Sequence, residues 1–338
     1  MLQPVHSNPL RVSVLAYPGC FASEVYGVPD LLTMAAHVVA AGGRRAPSYV
    51  VSLVSPRRTV RVSGGSRIDV SPLRDADLLV VPGFELSTTT DLDHVLGSLV
   101  PEVSAIATHV ASGTPVVSIC VGAFLLGEAG VLTGRRATTS WLFADRLARR
   151  YDDVQVVADQ LVVTDAGVTT TAAFSAMYDF ALGLIRERDG AAVARATARI
   201  AIVDDSRASQ TPYVDSGLLP ASGDGFSDEV RRWLDQNLSA GYDLGAIAAA
   251  MHVSPRTLLR KFRAQSGQTP LGYLHGARVR RARHLLETTD RTVAGVAAEV
   301  GYRDAGSFSH IFARHTGQSP RDYRARFRRA GARRAATV

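Results

Sequence analysis

The sequence predicts two domains of different class: an α/β domain with a parallel sheet between layers of helices, then an all-α domain with two helix-turn-helix units. Three observations predict this. Over the first two hundred residues, short β-rich apolar runs alternate with helical stretches. Over the last third, one stretch occurs twice. Between them, from Asp204 to Gly225, the composition is that of turns and linkers. A chain of 338 residues is also long for a single core.

The elements of the first domain follow from these runs. Near-continuous apolar strands separated by helices favour a parallel sheet that is covered on both faces. We expect strands over residues 11–17, 49–55, 77–81, 115–119, 154–157 and 161–164, and helices over residues 26–41, 92–111, 123–129, 141–150 and 176–188. Ligands of such sheets bind beyond the carboxyl ends of the strands. The loops at 18–20, 82–84 and 120–122 are therefore the candidate ligand loops.

A cysteine follows the strand expected at 115–119 and precedes a helix. At a helix N-terminus the dipole stabilises a thiolate, so Cys120 is a candidate site residue, and a buried cysteine in apolar packing is the structural alternative. The N–H of Val121 offers one arm of an anion hole and that of Gly83 or Phe84 the other. Glu24, in the loop after the first strand, can approach the thiol. The expected ligand pocket therefore consists of Glu24, Gly83, Phe84, Cys120 and Val121.

The sequence offers no general base for covalent catalysis at this cysteine. A nucleophilic cysteine needs a neighbouring general base, and the residue after Cys120 is Val121 rather than histidine. His37, His94 and His109 fall in predicted helices without a supporting pattern. We expect no catalytic residue. No Cys/His cluster has metal-ligand spacing, so neither a metal nor a cofactor is expected. The two cysteines of the chain make no disulfide framework.

The repeat in the last third has a constant offset of fifty residues. Phe262 recurs as Phe312 and Tyr273 as Tyr323, with Pro270 matched by Pro320 and Gly267-Gln268 by Gly317-Gln318. A gapless offset indicates one supersecondary unit used twice. Each copy has a short helix, a tight turn and a second helix, which is the helix-turn-helix pattern. The second helix of such a unit enters the major groove of DNA.

The helices of the second domain are expected at similar places in both copies. An opening helix covers residues 227–237; copy one has helices over 244–251 and 255–265, copy two over 293–300 and 304–315, and a long helix over 270–286 joins the copies. Ser254 and Asp304 are the expected N-caps of the second helices. Leu258 and Phe262 share one face and should enter the core, as should their counterparts in copy two.

Exposed polar residues on the second helices are the candidate DNA contacts. Arg256 and Arg260 lie four residues apart on one face, and an arginine there can bond guanine in a fork. In copy two the matching residues are Gly306 and His310, so copy one should supply more of the sequence specificity. The alternative is that the arginines contact only phosphates. The expected DNA contacts are Arg256, Thr257, Arg260, Arg263, Arg303, Ser307, Ser309 and His310.

The charge of the chain is unevenly distributed. Residues 226–338 contain 20 Lys and Arg against 9 Asp and Glu, whereas residues 1–225 contain 18 against 22. A basic module on an acidic body is typical of a nucleic-acid binder. No run of 18 apolar residues occurs, so no membrane span is expected. Residues 1–9 are polar and unlike a secretory signal, which favours a cytoplasmic protein.

Residues 226–328 resemble the AraC/XylS-type DNA-binding domain. The resemblance is carried by the doubled unit, by Gly-Gln-Thr-Pro-Leu-Gly-Tyr at 267–273, and by the stretch at 301–324 that contains Ser-Phe-Ser-His-Ile-Phe and Gly-Gln-Ser-Pro-Arg-Asp-Tyr-Arg. It implies a seven-helix bipartite domain that acts on promoters by recruiting or blocking RNA polymerase.

Residues 10–190 resemble the glutamine-amidotransferase-like superfamily of the PfpI type. The matching pieces include Tyr17-Pro18-Gly19, Ser23-Glu24-Val25-Tyr26-Gly27, Leu79-Val80-Val81-Pro82-Gly83 and Ser118-Ile119-Cys120-Val121-Gly122. The resemblance implies a flavodoxin-like fold. Peptidases of that group carry histidine where Val121 stands, and a related regulator subgroup often carries histidine where Ser140 stands. Together the two domains resemble GlxA-like transcriptional regulators.

The sequence therefore predicts a sequence-specific transcriptional regulator that binds promoter DNA as a homodimer. The expected domains are a sensor and dimerisation domain at 1–203, a linker at 204–225, the DNA-binding domain at 226–328 and a basic tail at 329–338. A small-molecule effector is left unidentified. The alternative hypothesis is a Cys120-dependent hydrolase or amidase-like enzyme fused to a DNA-binding module, which turnover abolished by Cys120→Ala would favour.

Overall fold

The structure is a computed structural model that describes residues 8–43, 48–87, 89–204, 207, 209–214, 225–266 and 268–328. It divides into two compact units, Met1–Gln210 and Thr211–Val338. This division lies inside the predicted linker, most of which is outside the described residues, as is the predicted tail, so the finer domain bounds stay a prediction. No helix in the described part of the chain is both long enough and apolar enough to cross a membrane.

The first unit alternates strands and helices along the chain, as predicted. Its elements are β1 (Leu10–Leu15), α1 (Ala22–Ala41), β2 (Tyr49–Val54), β3 (Thr59–Arg61), β4 (Arg67–Asp69), β5 (Leu78–Val81), α2 (Leu92–Ser98), α3 (Val100–Ala111), β6 (Val116–Ser118), α4 (Ala123–Glu128), β7 (Arg136–Ala137), α5 (Ala144–Arg150), β8 (Gln155–Val156), β9 (Val162–Asp165), β10 (Val168–Thr171), α6 (Ala176–Asp189) and α7 (Ala191–Ala201).

The main sheet has six strands in the order β2-β1-β5-β6-β10-β9. All neighbours are parallel except β9, which runs antiparallel to β10. Every residue of β5 and β6 is buried, which explains why these strands are continuously apolar. The carboxyl ends of β1, β5 and β6 meet at one edge, and the loops that follow them hold the candidate pocket. The predicted α/β class is confirmed.

Several elements of the first unit differ from the prediction. The single helix expected over 92–111 is two helices, interrupted at Leu99, and Pro101 stands at the start of α3 because it needs no N–H partner there. Strand β10 was not predicted because its Val-Thr-Thr-Thr sequence is polar, yet all four residues are buried. Helix α7 and the β3–β4 hairpin were also not predicted.

The second unit contains seven α-helices in its described residues: α8 (Phe226–Gln236), α9 (Leu244–Ala250), α10 (Pro255–Ser266), α11 (Pro270–Thr288), α12 (Val293–Glu299), α13 (Ala305–Thr316) and α14 (Pro320–Phe327). Helices α9 and α10 form one helix-turn-helix unit, and α12 and α13 form the other. The predicted all-α domain with two such units is confirmed.

Each helix-turn-helix unit has its own apolar core. One core contains Val230, Leu234, Ile247, Ala248, Leu258, Phe262 and Leu274, and the other contains Val279, Ala282, Leu285, Leu286, Val296, Ala297, Val300, Phe308, Phe312 and Tyr323. Helix α11 contributes to both cores, with Leu274 in the first and Val279 in the second. It is therefore the element that joins the two units.

The repeat extends to the helix caps. Thr269 accepts the Gly272 N–H at 3.1 Å at the start of α11, and Ser319 accepts the Asp322 N–H at 3.2 Å at the start of α14. A side-chain oxygen at the N-cap satisfies one of the four backbone donors that lack an intrahelical partner. Equivalent positions in the two copies thus begin their helices in the same way.

Candidate nucleic-acid interface and cysteine site

Helix α10 begins at a tight turn and a capped N-terminus. His252 adopts a left-handed conformation with φ of 53°, which reverses the chain after α9. Ser254 Oγ accepts the Thr257 N–H at 3.2 Å, so the predicted N-cap is present. Leu258 and Phe262 are fully buried and fix one face of the helix to the first core. The opposite face is therefore held outward.

That outward face carries three arginines. Arg256, Arg260 and Arg263 are exposed, and within the described residues no hydrogen bond or ion pair holds any of the three guanidinium groups. Thr257 is different, since Ser254 Oγ donates a hydrogen bond to its hydroxyl at 2.9 Å. The three arginines are thus available to phosphates or base edges, whereas Thr257 also serves the cap.

Helix α13 presents shorter polar groups. Asp304 accepts the Gly306 N–H at 3.0 Å and the Ser307 N–H at 2.6 Å, so it is the N-cap that the sequence predicts. Ser307 and His310 are exposed. Ser309 is half-buried, and its hydroxyl donates to the Ala305 carbonyl at 2.7 Å. This bond leaves Ser309 less available to a ligand than Ser307. Arg303, which precedes the cap, is exposed as well.

Arginines of the connecting helix α11 are engaged in contacts within the unit. Arg278 is 6% exposed and bonds two backbone carbonyls. Arg280 lies 3.7 Å from the Asp235 carboxylate, and Arg283 Nε donates to the Tyr323 hydroxyl at 2.7 Å. The arginines on α10 therefore differ from these arginines of α11 in having no partner within the part of the chain that the structure describes. A basic composition alone does not distinguish these two roles.

The cysteine site lies where β6 ends. Cys120 has a positive φ of 52°, a conformation that is strained for a residue with a side chain, and it opens a short 3-10 turn, Cys120–Gly122, before α4. A Cβ on Gly122 would lie 2.6 Å from the carbonyl oxygens of both Val81 and Pro82, so only glycine fits there. Thr139 Oγ1 donates to the Cys120 carbonyl at 2.8 Å and holds the turn from the other side.

Glu24 lies in the first turn of α1, not in the loop where the sequence places it. Its side chain is fully buried, and its Oε2 accepts the Gly83 N–H at 2.5 Å. Its Oε1 is buried without a hydrogen-bond partner in the described part of the chain. Burial raises the pKa of Glu24 to about 7, although the Gly83 N–H acts in the opposite direction.

The surroundings of the Cys120 thiol favour its protonated form. Burial raises its pKa to about 12, and the negative charge of Glu24 adds to the increase. Backbone N–H groups of Val121, Phe174 and Ser140 lower it by less. Burial and the neighbouring acid Glu24 therefore outweigh the stabilisation of a thiolate that was expected from the dipole of α4, a helix of only 6 residues.

The structure brings Glu24, Gly83, Cys120 and Val121 together, and it places Phe84 beside Gly83 in the same loop. Glu24 bonds Gly83, a Cβ on Gly83 would lie 3.3 Å from Val121 Cγ2, and Phe84 pairs with Cys20 in an isolated antiparallel bridge. The N–H of Gly83 is taken by Glu24 and is therefore not a free arm of an anion hole. Among the described residues, no three His, Cys, Asp or Glu side chains are placed to hold a metal ion.

Residues that the sequence analysis left out also shape this site. The Tyr17 hydroxyl donates to the Pro82 carbonyl beside it, and Thr139 bonds the Cys120 backbone. Tyr17 belongs to the Tyr17-Pro18-Gly19 stretch that is visible in the sequence. The roles of Tyr17 and Thr139 at this site could not be predicted, because they depend on contacts between segments that are distant in the chain. Of the three histidines considered, none hydrogen bonds to Cys120 within the described residues; His109, for example, bonds the Ala105 carbonyl of its own helix at 3.0 Å.

Both units match known families. A model described as a helix-turn-helix domain matches residues 247–326, and the model of the DJ-1/PfpI family matches residues 32–187. The HTH-type transcriptional regulator CdhR of Pseudomonas aeruginosa is 29% identical over 261 residues, which are 76% of this chain and 74% of that protein. The HTH-type transcriptional activator RhaS of Klebsiella pneumoniae is 35% identical over 103 residues, 30% of this chain and only 37% of that protein.

A solved structure also matches part of the chain. The crystal structure of an AraC family transcriptional regulator from Pseudomonas putida matches with a TM-score of 0.47 and 21% identity, and the match covers 57% of this chain and 100% of that one.

Proposed function

We propose that this chain recognises a bipartite operator with α10 and α13, and that it uses its first domain for dimerisation and effector sensing. The chain is a DNA-binding transcriptional regulator that joins a DJ-1/PfpI domain to an AraC-type helix-turn-helix domain. One observation carries the proposal. Three arginines, Arg256, Arg260 and Arg263, stand exposed and without a partner among the described residues on the outer face of a capped second helix.

The chemistry of these side chains supports base reading. A guanidinium group presents paired donors that match the O6 and N7 acceptors of guanine, and such a pair contributes about 1–3 kcal/mol of discrimination. Arg256 and Arg260 are separated by four residues and so lie one helical turn apart on the same face. Arg263 lies farther along the helix. An arginine on this face that does not reach a base edge contacts phosphates instead, and a phosphate contact contributes affinity without sequence preference.

The second unit supplies a second reading position. Ser307 and His310 on α13 are exposed and carry less fixed charge than the arginines of α10. Two units on a joining helix can enter successive major grooves on one face of DNA, about 34 Å apart. We therefore propose two half-sites, of which the one read by α10 has the stronger base preference.

Selection from a random duplex library tests this proposal directly. The full-length protein is incubated with the library at moderate salt, and the bound duplexes are sequenced. The expected result is two enriched half-sites whose centres are about one helical turn apart. Enrichment of no motif, or of a single half-site alone, contradicts bipartite reading.

We propose a non-catalytic role for the Cys120 site. A nucleophilic cysteine requires a thiolate and a base, whereas burial raises the pKa of Cys120 to about 12 and the nearby ionisable group is the acid Glu24. The Gly83 N–H is bonded to Glu24 and so cannot stabilise an oxyanion. We propose instead that an effector acts at this site through Glu24 Oε1, which is buried without a hydrogen-bond partner among the described residues. Turnover of amide or ester substrates that Cys120→Ala abolishes would contradict this role.

Dimerisation and promoter action complete the proposal. A homodimer places two bipartite readers on one operator and increases affinity through effective concentration. An effector acts only if it binds two arrangements of the protein with different affinity. A relative of the second domain is named a transcriptional activator. We propose that this chain likewise acts at promoters in the cytoplasm through contact with RNA polymerase. Sedimentation of the full-length protein at micromolar concentration tests the dimer, and a monomer that still binds the whole operator contradicts it.

A further inference from the structure

The two helix-turn-helix units do not share an apolar core. In the described residues, the buried apolar side chains of the second domain form two separate clusters, one around Phe262 and the other around Phe312. Packing inside each cluster stabilises its own unit but does not set how one unit is turned relative to the other. That relation depends on α11, which enters both clusters, and on any polar contact that joins them.

Arg278 makes such a contact with the first unit. It lies in α11 and is only 6% exposed. Its Nε donates to the Leu238 carbonyl at 2.8 Å, and its Nη2 donates to the Ala240 carbonyl at 2.6 Å. These carbonyls belong to the loop between α8 and α9. A buried guanidinium group needs such partners, and charge-assisted bonds of this kind are stronger than neutral ones.

The same guanidinium group contacts the second unit. Its central carbon lies 5.2 Å from the ring centre of Tyr302, in the turn between α12 and α13. The Tyr302 hydroxyl bonds His275 Nδ1 at 2.9 Å, and its ring lies 5.5 Å from that of Phe308 in α13. Contacts therefore run from the α8–α9 loop through Arg278 and Tyr302 to the second reading helix.

The backbones of the two units also touch at this junction. Gly301 has a positive φ of 90°, and a Cβ added there would lie 2.7 Å from the Ser239 carbonyl oxygen and 2.9 Å from Arg278 Nη2. Any larger residue would have to push the turn before α13 away from the α8–α9 loop. The junction therefore consists of Leu238, Ser239, Ala240, Arg278, Gly301 and Tyr302, and it is closely packed.

We propose that Arg278 is a positioning residue that fixes the distance and orientation between α10 and α13, and thereby the spacing of the two half-sites that the protein accepts. Arg278 does this from the interior of the domain, through the backbone carbonyls of one unit and the aromatic ring of the other. Its role is to select among operators with identical half-sites and different separations.

Binding to operators of altered spacing tests this inference. The full-length protein and its Arg278→Met variant are each measured on the selected operator and on duplexes with one base pair added or removed between the half-sites. Methionine keeps an apolar stem but cannot bond the Leu238 and Ala240 carbonyls. The wild-type protein should prefer one spacing, and the variant should reduce that preference on the order of tenfold while the base preferences within each half-site are retained.

Two further variants keep the result decisive. Arg281→Met removes another arginine of α11. The Arg281 side chain is 51% exposed, and its ion pair with Glu299 of α12, at 3.7 Å, stays within the second unit, so this variant should leave the spacing preference unchanged. Gly301→Ala should weaken or shift the preference as Arg278→Met does, because its Cβ collides with the Ser239 backbone. If Arg278→Met fails to fold, Gly301→Ala gives the same measurement.

The inference is overturned if a folded Arg278→Met or Gly301→Ala protein keeps the wild-type spacing preference, or if Arg281→Met loses it equally. The first result would mean that the stiffness of α11 alone sets the spacing. The inference rests on the proposed bipartite reading, and the two fail differently. A wild-type protein that selects no paired half-sites fails the proposed function, whereas unchanged spacing in the variants fails only the role of Arg278.

Discussion

Phe262 and Phe312 stand at equivalent positions fifty residues apart, and each is fully buried in a different apolar core. Phe262 holds α10 against its own unit, and Phe312 holds α13 against the other. Helices α10 and α13 are therefore anchored independently, although α11 joins their units. Because the cores are separate, the stability of each helix-turn-helix unit can be measured independently.

Replacing either phenylalanine by alanine should loosen one unit more than the other. A buried Phe→Ala change costs about 3–5 kcal/mol, because apolar contacts are lost and a cavity is left. Hydrogen exchange of the full-length protein, read peptide by peptide, measures where protection is lost. Phe312→Ala should lose protection mainly in α12–α14, and Phe262→Ala mainly in α8–α10. Equal loss across both units in both variants would contradict independent cores.

The raised pKa of Glu24 should make the stability of the first domain depend on pH. Its pKa is raised from 4.5 to about 7, so the unfolded state ionises at lower pH than the folded state. The stability of the wild-type protein therefore falls as the pH rises from about 4.5 to 7. Glu24→Gln does not titrate. Its stability relative to wild type should increase as the pH rises from about 4.5 to 7 and then level off, by an amount on the order of 3 kcal/mol in all.

Denaturant unfolding followed by Trp141 fluorescence in a Trp233→Phe background measures this difference in the first domain. Glu85→Gln, which removes an exposed carboxylate two residues after Gly83, is the matched control for the loss of one carboxylate from the first domain. A Glu24→Gln difference that stays constant over this pH range would mean that Glu24 is ionised in the folded protein throughout.

Cys120 should react slowly with thiol reagents in the folded protein. Because burial raises its pKa to about 12 and only the thiolate is nucleophilic, alkylation near pH 8 should be at least about a hundredfold slower than in the unfolded chain. The rate is measured in a Cys20→Ser background, so that one thiol remains. Equal rates in the folded and unfolded protein would instead indicate a reactive thiol suited to sensing oxidants.

Local features of this chain could be predicted from sequence, whereas most of the individual side-chain contacts between distant segments could not. Ser254 and Asp304 cap their helices as expected because a cap depends on residues two or three positions away. The burial of Arg278 could not be predicted from the neighbouring sequence, because the carbonyl groups that it bonds lie about forty residues upstream. An arginine in a basic helix is indistinguishable, in the sequence, from one that contacts DNA.

The candidate pocket shows the same limit. Glu24, Gly83 and Cys120 were predicted to meet because strand ends of a parallel sheet converge at one edge. The protonation state of Cys120 was not predictable from its place before a helix, because the burial of the thiol and of Glu24 depends on packing across the sheet. Similarly, β10 was missed because its threonines are polar in sequence but buried in the fold.

The most direct test of base recognition by α10 is a measurement of DNA affinity. Full-length wild-type, Arg256→Ala and Arg260→Ala proteins are each bound to the selected operator and to a panel of duplexes in which one base pair of the operator is changed at a time. Arg281→Ala is the control for lost charge. Each α10 variant should lose about 1–3 kcal/mol on the operator and become indifferent to the base pair at one position, while Arg281→Ala keeps every base preference. An equal loss on operator and random duplex would show that these arginines contact only phosphates and would contradict base reading by α10.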